Sequence, residues 1–418
     1  MYQGAWVIPR LSTMMFLQYF VLGSWFATIG LILSRHGLGS IVGAAFSVGG
    51  IAAIISPIIL GMVTDRFFSS QKVLGVINLV GAVVLWTMPQ HIYSGNASVF
   101  LLLMFCYMLC FNPTYSLTNN ISFQNIKDTT KKFPLIRVCG TIGFITAGLL
   151  IGILGYSDSP VSIQIGGAVS AFLGFYSFTL PHTPPLAKGK PLSLRDIFCI
   201  DAFSLLKNKY FLLFILGTVI LFIPKAAYQS YASVLLGTLK VDSVASVLTI
   251  GQVSEVLFLL LMPLFFRRLG FKYMFIIGIS AHMLRNLLFS FGAAETFIPL
   301  VLAGIALHGL CWDFFFVSGY IYTEKKAGEE MKSQAQGMLI MFTQGIGMFI
   351  GGAVSGVLYN NTVTREGPEA LSQWSTFWIY PSMIALVVAL VFLFFFNDRE
   401  ADDTQASEEE LNKERVSI

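Results

Sequence analysis

The sequence predicts an all-α integral membrane protein of twelve transmembrane helices in two six-helix bundles. Three observations predict it. Only 11% of the 418 residues are charged while 55% are hydrophobic, and mean hydropathy is +0.74; an ordinary soluble domain carries about 25% charged residues. Apolar stretches able to cross about 30 Å of hydrocarbon, roughly 20 residues at 1.5 Å each, can be laid down twelve times. Lysine and arginine crowd into alternate loops, and a Pro- and Lys-rich break divides the stretches into two sets of six.

In the first half the spans fall near residues 11–34, 40–64, 73–89, 98–121, 134–155 and 160–180. In the second they fall near 210–237, 243–266, 271–291, 297–323, 332–359 and 372–397. These bounds give an N-terminal bundle at 1–180, a cytoplasmic linker at 181–209, a C-terminal bundle at 210–397 and a tail at 398–418. The run after Arg10 is too long for the h-region of a cleaved signal, so it is expected to remain as the first span. The tail sets eight acidic residues against Arg399, Lys413 and Arg415 and reads as a solvated, disordered cytoplasmic segment.

With both termini cytoplasmic, the inner loops hold sixteen basic residues, from Arg66 and Lys72 through Lys127, Lys131 and Lys132 to Lys325, Lys326 and Lys332. The outer loops hold Arg35, Lys240 and Arg365. The positive-inside rule selects that orientation. The net charge of +4 is then a topology signal, and no nucleic acid partner is implied. The five cysteines show neither metal spacing nor a disulfide framework, so no metal and no cofactor is expected.

Lys225, Glu255 and Asp313 sit inside apolar spans. A charge at mid-membrane costs roughly 2.5 to 3.5 kcal/mol on insertion scales, so it persists facing a bundle interior or a watered cavity. That placement points to a transport pathway. An enzyme would need a convergent catalytic set, yet no HExxH and no nucleophile elbow is present, and the five histidines are scattered. A P-loop for ATP-driven pumping is missing too, and the linker and tail are too short for a receptor's output domain.

The loop after span two reads Gly61-Met62-Val63-Thr64-Asp65-Arg66, ending at Lys72. It resembles the signature of the major facilitator superfamily at that loop. The resemblance implies that superfamily's fold, with Asp65 and Arg66 bracing the cytoplasmic ends of neighbouring helices. A closer resemblance runs along almost the whole chain. It is carried by Leu22-Gly23-Ser24-Trp25, Pro134-Leu135-Ile136-Arg137-Val138-Cys139-Gly140-Thr141, Leu180-Pro181-His182, Gln252-Val253-Ser254-Glu255, Asp313-Phe314-Phe315 and Ser333-Gln334-Ala335-Gln336-Gly337. These segments look like the nucleoside:proton symporter family. The resemblance implies a bacterial inner-membrane importer whose partners are a nucleoside, protons and the lipid bilayer, acting as a monomer. The alternative is a facilitator or symporter of a sugar or another polyhydroxylated solute on the same fold.

Read physically, the same segments suit a nucleoside, with its flat base and hydroxyl-rich ribose. Arg137, Thr141 and Phe144 recur at i, i+4 and i+7, giving one helical face a cation, a hydroxyl and a ring. Arg137 also lies near the cytoplasmic end of its span, where snorkelling explains it equally. Gln252 and Glu255 at i, i+3 match hydroxyls or a base edge, while His308 and Trp312 at i, i+4 add a polar tip and a stacking plane. Glu255 and Asp313 are candidates for proton coupling, because burial disfavours the charged form of a carboxyl group. Static ion pairs, Asp313 with Arg285 or Glu255 with Lys225, would explain them without coupling. At 1.5 Å per residue Arg285 lies about 9 Å and Asp313 about 24 Å below the outer boundary, which argues against the first pair in straight helices, while Lys225 and Glu255 are nearer in depth.

Span seven departs from the family pattern of two amides one turn apart: Gln229 matches one, Ala226 stands at the other, and Lys225 is an added cation. Lys225 is expected to act structurally or in gating, by pairing with Glu255. Pro224 is expected to bend or break the span.

Overall fold

The computed structural model describes residues 6–185 and 199–397, apart from the side chains of residues 57–66, 130, 329 and 330. The predicted tail, residues 186–198 of the predicted linker and the side chains of Asp65 and Arg66 therefore lie outside the described residues. Every regular element described is helical.

The first half contains α1 (Val7–Gly23), α2 (Ile29–Arg35), α3 (Val42–Arg66), α4 (Ser70–Tyr93), α5 (Ala97–Asn125), α6 (Thr129–Ile153) and α7 (Val161–Ser177). The second contains α8 (Lys209–Thr238), α9 (Val244–Ala294), α10 (Ile298–Ala306), α11 (His308–Cys311), α12 (Ser318–Ile340), α13 (Met348–Thr362) and α14 (Leu371–Phe395). Wide π-helical turns, Trp312–Val317 and Met341–Gly347, join α11 to α12 and α12 to α13. Among the described residues eight helices are long and apolar enough to cross a membrane, or nine if the pair Ile298–Ala306 and His308–Gly328, bent by 40°, counts as one. Val7–Gly23 and Val161–Ser177 are shorter apolar helices.

The 51 residues of α9 form two arms, because Gly270 leaves helical geometry at φ 65°. Gly328 does the same inside α12 at φ 64°. Glycine alone enters that region without a side-chain penalty, so each of these positions ends one helical arm and begins the next.

Span one was expected as a single helix, but a turn at residues 24–28 separates α1 from α2. The Ser24 hydroxyl donates to the Val21 carbonyl at 2.8 Å, the back-bonding that competes with regular helix. Pro224, expected to bend or break span seven, does not break it and lies inside the continuous α8. Packing holds it: α13 lies so close that a Cβ on Gly351 would stand 2.5 Å from the Phe222 carbonyl, and the Ser355 hydroxyl donates to the Ile223 carbonyl at 3.2 Å.

Small residues set the helix spacing, as they do where lipid supplies no hydrophobic drive between helices. A Cβ on Gly143 of α6 would stand 2.2 Å from the Phe16 carbonyl of α1. The same device joins the two halves. Gly43 of α3 meets Gly352 and Gly356 of α13, Gly152 of α6 meets Ser246 of α9, and Gly30 of α2 would place a Cβ 2.0 Å from the Ser230 carbonyl of α8. Hydrogen bonds cross at the same end of the molecule, from Ser47 Oγ to the Phe349 carbonyl at 3.0 Å and from Asn360 to the Ser40 carbonyl at 2.9 Å.

Candidate transport site

The second half carries most of the candidate site residues. α8 supplies Lys225, Tyr228 and Gln229, and the first arm of α9 supplies Gln252 and Glu255. The second arm adds His282, Arg285 and Asn286; α11 starts at His308, and the π-helical turn carries Trp312 and Asp313. Gly251 lets these helices close up, since a Cβ there would stand 3.1 Å from the His308 Cβ and 3.3 Å from the Tyr228 hydroxyl.

The expected straight helix over 297–323 is broken just before His308, and Ser254 holds the break. Its hydroxyl accepts from the Gly309 N–H at 3.1 Å and donates to the Ala306 carbonyl, two groups the bent helix leaves without their usual partners. His308 and Trp312 are therefore held by a break and a π-helical turn. Such turns are frequent at functional positions.

Glu255 Oε2 lies 3.7 Å from His308 Nε2, with both side chains partly exposed. The His308 ring packs against Tyr228 at 5.4 Å, and Tyr228 stacks on Phe289 at 5.9 Å. Over Tyr228, at 4.0 Å from its ring centre, sits the guanidinium of Arg285, which also donates to His282 Nδ1 at 2.9 Å. Arg285 is 1% exposed.

Asp313 is 1% exposed, and both carboxyl oxygens are buried without a hydrogen-bond partner among the described residues. Glu255 lies within its electrostatic reach. A buried charge without a partner is costly and a bound proton removes it, so this is a position suited to taking up and giving back a proton. The ammonium of Lys225 lies 4.1 Å from the Phe222 ring centre, 5.2 Å from that of Trp312 and 5.9 Å from that of Phe316.

Neither pairing weighed as a static explanation forms among the described residues. Glu255 pairs with His308 and not with Lys225, because Lys225 turns into the aromatic rings on α8 and the π-helical turn. Arg285 is taken up by Tyr228 and His282, and no ion pair joins it to Asp313 among the described residues.

In the first half, Arg137, Thr141 and Phe144 are all half-buried on α6. The Arg137 guanidinium lies 4.3 Å from the Tyr19 ring centre on α1, and Tyr19 packs on Tyr115 of α5 at 5.7 Å. Arg137 is thus turned into the helix packing, and both it and Glu255 of the other half are within electrostatic reach of Tyr19. Nearby, the Gln18 amide donates to the Thr114 hydroxyl in a buried bond.

Tyr19, Tyr228, His282, Arg285 and Asn286 are not among the site residues that the sequence marks. A usable signal existed for three of them: His282, Arg285 and Asn286 recur at i, i+3 and i+4 within an apolar span. The tyrosines carried none, being two of fifteen.

The family described as "Nucleoside H+ symporter" matches residues 7–401. The chain belongs to that family. It is a family of membrane transporters, not of enzymes, and its function is proton-coupled nucleoside transport. The symporter is 37% identical to the putative nucleoside transporter YegT of Escherichia coli (strain K12), over 94% of each chain. It is 32% identical to the nucleoside permease NupG of the same organism, over 93% of this chain and 95% of that one. A xanthosine permease from that organism is 31% identical over 93% of this chain and 96% of its own. The crystal structure of the nucleoside transporter NupG superposes with a TM-score of 0.84 at 30% identity, covering 94% of the symporter and 99% of that chain. A POT family transporter bound to 5-aminolevulinic acid shares the fold alone, with a TM-score of 0.68 at 14% identity over 93% of this chain and 95% of that one.

Proposed function

We propose that this symporter imports nucleosides across a bacterial inner membrane, drawn by protons moving down their gradient, and that it works as a monomer by alternating access. The observation that carries the reading is Asp313: a buried carboxyl group without a hydrogen-bond partner among the described residues, on the same π-helical turn as Trp312.

The architecture proposed for it is twelve spans in two six-helix bundles, residues 1–180 and 210–397, joined by a cytoplasmic linker at 181–209 and followed by a cytoplasmic tail at 398–418. The helices support that count. Splitting α9 at Gly270 adds one span to the eight long apolar helices, the bent pair adds another, and the two shorter apolar helices complete the set. Lysines and arginines concentrated on one side support cytoplasmic termini. The glycine contacts between the halves lie at the opposite end, which supports a state closed toward the outside.

In this reading the base stacks on Trp312 and Phe144, while Thr141, Gln229, Gln252 and His308 meet ribose hydroxyls and base edges. Arg137 orients the substrate from the first half. Asp313 carries the coupling proton, and Glu255 binds substrate and shares in coupling through His308. Asp65 and Arg66 brace the cytoplasmic helix ends. Each proton contributes about 2.3 kcal/mol per 100 mV of membrane potential, before any pH difference is added.

The test is uptake of labelled uridine, inosine and adenosine into proteoliposomes of the purified protein, with and without an inward proton gradient, with unlabelled hexose as competitor. Concentrative nucleoside uptake that collapses with a protonophore and ignores hexose is the expected result. Uptake competed by hexose and indifferent to the gradient would replace this reading with sugar facilitation.

A further inference from the structure

Lys225 is the residue of the site that neither the family pattern nor the proton-coupling reading uses. It is 6% exposed and lies at i, i+4 from Gln229 on α8, so the two share a helical face. Its ammonium is surrounded by the rings of Phe222, Trp312 and Phe316, whose faces favour a cation. Among the described residues no carboxylate forms an ion pair with it, since Glu255 pairs with His308. The other charge in its field is the cation Arg285, held by Tyr228 and His282. A buried ammonium in such a place offers three donors and no acceptor, and nothing described here meets them with a charge.

A substrate is the natural acceptor. The ammonium is 5.2 Å from the centre of the Trp312 ring, so a base laid against that ring comes within reach of Lys225 at its edge. Base edges differ in the group they present: uracil and hypoxanthine offer a carbonyl oxygen where cytosine and adenine offer an amino group. Facing an ammonium, the oxygen gains a charge-assisted hydrogen bond, whereas the amino group sets donor against donor.

We propose that Lys225 makes this symporter selective for nucleosides whose base carries a carbonyl oxygen at the six position of a purine or the four position of a pyrimidine. The inference rests on the nucleoside reading above. Inosine is then preferred to adenosine, and uridine to cytidine, each pair differing in that one exchange of acceptor for donor.

Equilibrium binding of the four nucleosides to the purified full-length protein tests it. In the wild-type chain, inosine and uridine should each bind about tenfold or more tightly than their amino partners, the worth of one charge-assisted bond. In Lys225→Gln, whose amide both donates and accepts, both ratios should fall toward one. A purely structural lysine would change overall affinity or yield and leave the ratios alone. Ratios near one in the wild-type chain overturn the inference, as does a folded Lys225→Gln protein that keeps them. If Lys225→Gln does not fold, Lys225→Met replaces it, and the wild-type ratios stand as a test by themselves. Equal binding of all four overturns only the selectivity, while binding of none overturns the nucleoside reading and this inference with it.

Discussion

The two halves of this symporter furnish the site in opposite ways. On α6 the first half presents Arg137, Thr141 and Phe144, half-buried, with the Arg137 guanidinium resting on Tyr19. The second half buries Lys225, Arg285 and Asp313 to 6% exposure or less and leaves Asp313 without a hydrogen-bond partner. Membrane interiors tolerate such groups only at a cost, and the cost is concentrated in one half. The contrast teaches that shape and stacking can be supplied from either side of a substrate. Charge that must change during a transport cycle needs a place where water and fixed partners are scarce.

The sharpest way to break this comparison is Asp313→Asn. It should reduce gradient-driven accumulation in proteoliposomes to that of protein-free liposomes while nucleoside counterflow, which needs no net proton movement, persists. Loss of both together would mean that Asp313 holds the fold or the substrate and not the proton. Next in size is Glu255→Gln, which keeps the side-chain shape and loses the charge facing His308. Its substrate KM should rise by about tenfold, the worth of a charge-assisted hydrogen bond, with accumulation reduced less than in Asp313→Asn.

Phe144→Ala tests the first half. Losing one stacking contact worth roughly 1 to 3 kcal/mol should weaken nucleoside binding while the accumulation ratio at saturating substrate stays as in the wild type. A collapse of coupling in this variant would erase the division between the halves. The smallest effect belongs to Arg35→Ala. Arg35 and Asp158 are about half exposed and lie 3.7 Å apart, and such surface pairs contribute about 0 to 1 kcal/mol. Thermal unfolding in detergent should barely move, in contrast to the buried charges of the second half.

What the sequence by itself determined is that the chain is a helical membrane protein, where its apolar stretches lie, and that Lys225, Glu255 and Asp313 stand within them. Hydropathy is a local property: lipid accepts an apolar helix whatever packs beside it, so a window of residues suffices to read it. The family was legible for a related reason, since its short segments stand in order along the chain and need no contact map.

Which charges meet was decided only by the tertiary structure. Sequence spacing placed His308 and Trp312 on one regular helix face, but the break before His308, held by Ser254, and the π-helical turn at Trp312 change which way that face points. A turn closed over an extra residue rotates everything after it, and neither composition nor spacing announces it. Glu255 therefore meets His308 and not Lys225, Lys225 goes to the rings of Phe222 and Trp312, and Arg285 goes to Tyr228 and His282. Even Pro224, a helix breaker by its own chemistry, stays inside a continuous α8, against which α13 is packed through Gly351. Partnership depends on the rotation and approach of helices far apart in sequence, and those are settled by packing.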